Sequence, residues 1–436
     1  MTTNQDRIED EVRPLLRNSK CEGAHRTVAV VGLGYIGLPT AAILASRGKR
    51  VVGIDVDSDA VSTINKGKVH IIEPDLDIVV KAAVSTGNLK ATTTAEPADA
   101  FVIAVPTPIT EGQKPDLSYI RSAAELIAPV LKKGNLVVLE STSPVGTTER
   151  LCQWLGELRP DLTFPNVKGG NSDIRVAYCP ERVLPGHILQ ELVTNDRVVG
   201  GLSPECTKEA VCLYKSFVKG NCIETNANTA EMCKLAENAY RDINIAYANE
   251  LSIICDDVGV NVWELISLAN RHPRVNILRP GPGVGGHCIA IDPWFLVDSS
   301  PDNARLISKA REVNLSKTEY VLNKIVRKAE RFRNPVIACL GLSFKPNIDD
   351  LRESPALEIV LRLAETAVGN LLIVEPNIGS LPEKLSSHDQ VVTTTLEEAV
   401  LSADIVVVLV AHDEFMSIDK GLLYEKTVFD LVGAFQ

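Results

Sequence analysis

The sequence predicts an α/β fold in which two doubly wound parallel-sheet domains are joined by a helical middle domain with one long helix. Three observations predict it. From Arg26, short and nearly continuous apolar runs alternate with helical spacing, the pattern of strands covered on both faces of a parallel sheet. A second alternation of the same kind begins at Val336. Between them, residues 229–258 keep helical apolar spacing without a break.

Taken in order, residues 1–25 are polar and charged and read as an extension outside the fold. The first domain is expected over 26–222, with strands at 28–31, 51–54, 100–105, 136–139 and 175–179. The helical middle is expected over 223–330. Its long helix should start with a capping pair, Asn228 with Glu231 three residues on, and stop at Gly259. The last domain is expected over 331–436, with strands at 336–340, 371–374, 405–410 and 428–431. At 436 residues the chain is long enough for such a multidomain layout.

Bulk composition excludes several classes. A net charge of −11, from 45 basic and 56 acidic residues, is the wrong sign for a nonspecific nucleic-acid binder. Ten cysteines occur without a C-x-x-C pair, so no metal site is visible, and free thiols in a reducing cytoplasm are expected. Residues 28–45 are apolar enough to pass for a membrane helix. Gly32, Gly34, Gly37 and Pro39 inside that run, and a strand-like run directly after it, favour strand–turn–helix, with no membrane insertion.

That strand–turn–helix carries Gly32-Leu-Gly-Tyr-Ile-Gly37, and Asp55 ends the following strand about twenty residues later, which completes a dinucleotide-binding fingerprint. Gly32 and Gly34 make the turn and admit a pyrophosphate, Gly37 lets the helix approach the strand, and the helix N-terminus supplies N–H donors. Asp55 suits a ribose diol and repels a 2′-phosphate, which favours NAD over NADP. Without a ligand the same run is only a glycine-rich turn. Thr107, Thr142 and Thr148 follow predicted strands, at the sheet edge where open α/β folds bind ligands, although such clusters are also ordinary turns. Glu181 and Arg182 follow another strand, as an acid/base and an anion contact or as parts of a capped loop.

The loop Gly281-Pro-Gly-Val-Gly-Gly-His-Cys-Ile-Ala-Ile-Asp-Pro293 crowds glycines around Cys288 and places Asp292 four residues later. A thiol on such a loop can reach a substrate and act as a covalent nucleophile; a buried, inert cysteine is the alternative. On the long helix, Lys234, Asn238 and Arg241 share one face, either as a solvated charge stripe or as a cleft wall where Lys234 and Asn238 stabilise an oxyanion. Arg271, Arg274 and Arg279 add positive charge before the Cys288 loop. Lys345 and Arg352 lie after the first strand of the last domain, where a second phosphate-bearing group can bind.

With these motifs in this order, from about residue 26 onward, the chain resembles the UDP-sugar 6-dehydrogenases, the UDP-glucose/GDP-mannose dehydrogenase family. The branch oxidising UDP-N-acetyl-D-mannosamine matches best, on Arg271-His-Pro-Arg-Val-Asn-Ile-Leu278, the glycine–cysteine loop, Asp292-Pro-Trp-Phe295 and Glu231-Met-Cys-Lys234. The resemblance implies two Rossmann-like domains, the first binding NAD and the last the UDP-sugar, with dimerisation or higher assembly through the helical middle. It implies a four-electron oxidation of the sugar 6-hydroxyl to a carboxylate, passing through a thiohemiacetal and a thioester on Cys288, in the cytoplasm and for polysaccharide precursors. Lys234 then matches the proton donor/acceptor, with Asn238 beside it. Asp292, with Thr142 or Glu181 through water, matches the activating groups. Tyr35, Ile36, Asp55, Thr107 and Thr148 match NAD positions. Arg182, Val183, Arg241, His272, Arg274, Gly285, Phe344, Lys345 and Arg352 match substrate positions, with His272 and Arg274 serving a neighbouring subunit's site.

Two departures stand out. Ile291 occupies a place where animal UDP-glucose dehydrogenases carry lysine, which speaks against glucose. Val432 stands where relatives often have Arg or Lys, which puts one basic contact to the sugar nucleotide in doubt. UDP-N-acetylglucosamine and UDP-glucose remain alternative substrates. A β-hydroxyacid dehydrogenase would need neither the Cys288 loop nor the last domain. A sugar-nucleotide- or NAD-responsive binding protein is the non-enzyme alternative, and the presence of Lys234, Asn238, Cys288 and Asp292 together counts against it.

Overall fold

The computed structural model describes residues 25–110, 112–286 and 288–435, so all of the predicted extension except His25 lies outside the described residues. Thirteen strands follow in chain order among the described residues. The first eight are β1 (Thr27–Val31), β2 (Arg50–Ile54), β3 (Leu89–Thr92), β4 (Ala100–Ile103), β5 (Leu136–Leu139), β6 (Arg175–Tyr178), β7 (Arg197–Gly201) and β8 (Cys222–Asn226). The last five are β9 (Val336–Leu340), β10 (Asn370–Val374), β11 (Val391–Thr393), β12 (Ile405–Val408) and β13 (Thr427–Asp430). They form an eight-stranded sheet, ordered β3-β2-β1-β4-β5-β6-β7-β8, and a five-stranded sheet, ordered β11-β10-β9-β12-β13. All pairs are parallel except β6 with β7, which is antiparallel. Two compact units result, one built on Met1–Thr107 with Asp116–Lys234 and the other on Pro108–Pro115 with Leu235–Gln436.

Both sheets are covered on two faces, which is why their central strands are apolar at every position. In β1, Val28 and Val30 enter one core cluster while Ala29 and Val31 enter the other. In β9, Ile337 and Cys339 face one cluster, Ala338 and Leu340 the opposite one. Each fully buried valine or isoleucine contributes roughly 1.5–3 kcal/mol. The membrane-like run at 28–45 is β1, the glycine turn and a helix, Gly37–Ser46, that is buried from Gly37 to Ala45. No helix among the described residues is long and apolar enough to cross a membrane.

The long helix spans Ala227–Val258, about 48 Å at 1.5 Å per residue. Its start corrects the expected capping pair. Asn226, one residue before the helix, caps it by accepting from the Thr229 N–H at 2.8 Å. Asn228 lies inside the first turn and donates to Glu149, and Glu231 turns to residues 146–148. At the other end Gly259 adopts φ +72°, and the Val260 N–H bonds back to the Cys255 carbonyl at 2.9 Å, the expected glycine stop.

In the second unit this helix packs on helix Arg305–Ala329 through buried polar groups. Asp242 accepts from Arg311 (2.7 Å) and Asn314 (2.8 Å), and Asn314 accepts from Asn249 (2.9 Å). Among the described residues eight cysteines form no disulfide, and of these Cys288 is the exposed one.

Candidate active site

The dinucleotide turn follows β1. Gly32 adopts φ +88°, and a Cβ there would approach the Ala104 carbonyl oxygen to 2.7 Å. At Gly37 a Cβ would collide with the Gly32 carbonyl oxygen, so the helix starts where only glycine fits. Around Gly34 no atom lies within 4 Å of an added Cβ, which leaves open space at the helix N-terminus. Asp55 closes the turn, accepting from the Leu33 N–H at 2.7 Å and the Asp57 N–H at 3.0 Å. Tyr35 packs half-buried against the core, and Ile36 precedes the helix as its cap residue. The Thr107 hydroxyl is buried with no protein partner. An open cradle, an acid at its edge and an orphaned hydroxyl fit NAD.

Other predicted residues along this sheet edge have protein partners. Thr148 donates its hydroxyl (2.6 Å) and its N–H (2.8 Å) to Glu231, which also takes the Gly146 N–H at 2.7 Å. Thr142 is half-buried in the same turn. Glu181 is buried and accepts from Arg197 at 2.7 Å and the Arg182 N–H at 2.6 Å. Beside it Glu140 takes the Tyr214 hydroxyl at 2.6 Å, and burial pushes its carboxyl up to about 7 against the opposing pull of Arg197. Val183 is half-buried and packs against the core.

The Cys288 loop is tied down at both ends. Asn249 of the long helix accepts from the Gly281 N–H at 2.9 Å, and the Thr318 hydroxyl donates to the Pro282 carbonyl at 3.0 Å. At the far end the Asp292 N–H closes a turn onto the Cys288 carbonyl at 2.9 Å, and Asp292 opens helix Asp292–Ser299. Its carboxylate is buried and accepts from Asn238 at 2.5 Å. Lys234, four residues before Asn238 on the helix, is 8% exposed, so these two are not a solvated stripe. Arg241 on the same predicted face is exposed, as are His272 and Arg274. Burial pushes the Cys152 and Cys339 thiols up to about 12, whereas Cys288 is exposed on its loop.

Gly285 is glycine for packing: a Cβ would press on Glu353 and come within 2.9 Å of Phe344. Phe344 and Lys345 lie half-buried on the loop after β9. Arg352 is exposed and binds Asp350 through Nη2 at 2.6 Å and Nε at 2.9 Å. Val432 packs into the apolar cluster around Phe415, which gives its side chain a structural place.

The chain matches the UDP-glucose/GDP-mannose dehydrogenase family along nearly its whole length: the NAD binding domain over 26–218, the central domain over 228–316 and the UDP binding domain over 338–436. It belongs to that family. It is 62% identical to an NDP-N-acetyl-D-galactosaminuronic acid dehydrogenase of Ralstonia nicotianae over 408 residues, covering 94% of this chain and 96% of the relative. It is 59% identical to a UDP-N-acetyl-D-mannosamine dehydrogenase of Campylobacter jejuni over 394 residues, covering 90% and 97%. A solved UDP-D-ManNAc dehydrogenase from Pyrococcus horikoshii superposes with a TM-score of 0.82 at 39% identity, covering 94% and 96%. This UDP-sugar dehydrogenase is an NAD-dependent oxidoreductase with a UDP-binding domain.

Several supporting residues carry no sequence signal. Arg197, Asn249, Glu375 and His412 touch the predicted residues or their loops, yet none lies in a motif. Each sits many residues from its partner, so no local spacing announces the contact.

Proposed function

We propose that the protein oxidises UDP-N-acetyl-D-mannosamine to UDP-N-acetyl-D-mannosaminuronate, a polysaccharide precursor, with Cys288 as covalent nucleophile. One observation carries the reading: an exposed thiol on a doubly anchored glycine loop, four residues before a buried aspartate that the long helix holds through Asn238. NAD, held at the glycine turn, would supply the hydride acceptor for each of the two oxidations. The first turns the primary alcohol into an aldehyde. The Cys288 thiolate adds to the aldehyde carbon, and the resulting thiohemiacetal keeps the reactive carbonyl out of water. After the second oxidation a thioester remains, and water cleaves it to the carboxylate and the free thiol. Lys234 takes the alcohol proton, and Asn238 and Lys234 donate to the oxyanion. Asp292 orients Cys288 or the hydrolytic water.

Gly32, Gly34, Tyr35, Ile36, Gly37, Asp55, Thr107, Thr142 and Thr148 would hold NAD. Thr148 acts mainly through its grip on Glu231, and Glu181 through the Arg197 pair. Phe344, Lys345 and Arg352 bind the nucleotide of the substrate, Arg182, Val183 and Gly285 border it, and Arg241, His272 and Arg274 meet it from exposed positions. We place the reaction in the cytoplasm, where an accessible thiol stays reduced. We read the active unit as a homodimer, supported by Tyr240, Tyr247 and Ile254, which are exposed at seven-residue spacing along the long helix. Light scattering giving a monomer would remove that element.

A second reading, an N-acetylgalactosamine nucleotide as substrate, is favoured by the 62% identical Ralstonia relative. NADH formed per sugar nucleotide consumed distinguishes them, with UDP-N-acetylmannosamine, UDP-N-acetylgalactosamine, UDP-N-acetylglucosamine and UDP-glucose in parallel. Two NADH from the mannosamine derivative alone is the expected result. Two from another sugar reassigns the substrate, and a stop at one NADH removes the covalent route.

A further inference from the structure

The carboxyl edge of the five-stranded sheet holds a carboxylate–imidazole pair that the reaction does not use. Glu375 follows β10 and His412 lies beyond β12, and both side chains are 1% exposed. Glu375 Oε2 accepts from the Leu342 N–H (2.7 Å) and the Ser343 N–H (3.1 Å), and His412 Nε2 lies 3.1 Å from the same oxygen. Across the ring, His412 Nδ1 accepts from the Asn347 N–H at 2.9 Å and lies 3.0 Å from the Asn377 side-chain nitrogen. A backbone N–H can only donate, so Nδ1 carries no proton and Nε2 carries it, giving a neutral ring with one donor and one acceptor. Asn347 adopts φ +62°, the left-handed region that a non-glycine residue seldom enters. Its own Oδ1 accepts from the Asp413 N–H at 3.1 Å. Two consecutive residues, 412 and 413, therefore grip one residue by its main chain and its side chain.

Residues 343–347, pinned in this way at both ends, carry Phe344 and Lys345. The Ser343 hydroxyl ties the loop to itself by donating to the Lys345 carbonyl at 2.8 Å. The first sheet offers a comparison at equivalent places. Asp55 follows β2 as Glu375 follows β10, and Thr107 lies four residues past β4 as His412 lies four past β12. Asp55 is only half-buried, and no imidazole bonds to it among the described residues. In the second sheet His412 covers the acid and turns that corner into loop support.

We propose that His412 is a positioning residue for the UDP-binding loop: its unprotonated Nδ1 holds Asn347, and through it sets Phe344 and Lys345 for the uridine diphosphate of the substrate. This rests on the reading that Phe344 and Lys345 touch the sugar nucleotide. His412 itself touches only protein.

The test uses two variants of the full-length enzyme. His412→Asn keeps an acceptor near the Nδ1 position and loses the Glu375 contact; His412→Gln keeps a group near Nε2 and leaves the Asn347 N–H without an acceptor. His412→Gln should raise KM for the UDP-sugar and Kd for UDP about tenfold, the effect of one lost neutral hydrogen bond, with kcat and KM for NAD unchanged. His412→Asn should stay within about threefold of the parent on the same scale. Equal losses in both variants, or a shift in KM for NAD, would overturn the proposal. If neither variant folds, the parent enzyme decides: the Asn347 amide should exchange slowly without nucleotide, and fast exchange overturns the proposal. Lys345→Ala separates the two readings. A raised KM with it, but none with His412→Gln, sinks the positioning role alone; an unchanged KM and UDP affinity with Lys345→Ala sinks the nucleotide reading itself.

Discussion

Thr148 donates from both its hydroxyl and its backbone N–H to one carboxylate oxygen of Glu231, at 2.6 and 2.8 Å. The first turn of the long helix thereby clamps the N-terminus of helix Thr147–Leu158, which follows the β5 turn. Glu231→Ala leaves three donors at that turn without their acceptor. Unfolding free energy should drop by about 1–3 kcal/mol, read as a lower denaturant midpoint at unchanged slope. A midpoint equal to the parent's would mean that water replaces the carboxylate without cost.

Among the described cysteines outside a disulfide, Cys288 is the exposed one, while burial pushes several others upward. Brief treatment with iodoacetamide should label Cys288 first, and UDP-sugar should protect it. Cys288→Ser should lower kcat for complete oxidation by at least about 10³-fold, in keeping with loss of a nucleophile, with an unchanged Tm. Peptide mapping by mass spectrometry and NADH stoichiometry read the two outcomes. Labelling spread evenly over other cysteines would contradict the accessibility argument.

Glu140 makes stability depend on pH in a defined direction. Its folded carboxyl keeps its proton up to about 7, against 4.5 for the free group, because burial outweighs the attraction of Arg197. The folded state therefore binds more protons between those values, and stability falls as pH rises through that window before levelling off. Glu140→Gln removes this proton. The drop in Tm between pH 5 and pH 8 should shrink by a few °C relative to the parent. An unchanged drop would assign the pH dependence to other groups.

Gly37 leaves no room for a methyl group against the Gly32 carbonyl. Gly37→Ala should push the helix off β1 and abolish NAD binding at concentrations about 100-fold above the parent Kd, a loss of ~2.7 kcal/mol or more. Gly34→Ala, where an added Cβ meets nothing within 4 Å, should fold like the parent and weaken only the cofactor. Calorimetric titration with NAD and thermal scans separate the two. Equal behaviour of both variants would remove the distinction between a packing glycine and a ligand glycine.

Most of the fold was legible because buried parallel strands are apolar along their length, as β5, β9 and β12 are throughout and β1 is from Val28. The strands that escaped lack that signal. β3 and β11 are short edge strands with polar positions, and β8 reads Cys-Ile-Glu-Thr-Asn at the opposite edge. β7 opens with a buried arginine and ends in two glycines, because a Cβ at Gly200 or Gly201 would strike Asn226 or Thr207. Within the candidate site, the glycine turn and the Cys288 loop announce themselves through local spacing. Pairs such as Asp242 with Arg311 and Glu375 with His412 cannot, since only the folded chain brings them together. Arg352 illustrates the reverse case: its charge was visible, its bond to Asp350 was not.

The two sheets share the strand order of their first five members, and with it one turn used twice. Gly32 and Gly341 each bond back to the end of the neighbouring strand, at 2.8 and 2.9 Å, with φ of +88° and +93°. Asp55 and Glu375 then take the next N–H, from Leu33 and Leu342, both at 2.7 Å. The acid at this corner is a mechanical part in both halves, holding the turn by the backbone that follows the glycine. Even an apoenzyme that never meets NAD would suffer from the loss of Asp55, and a search for dinucleotide folds by that acid alone would find the second half too.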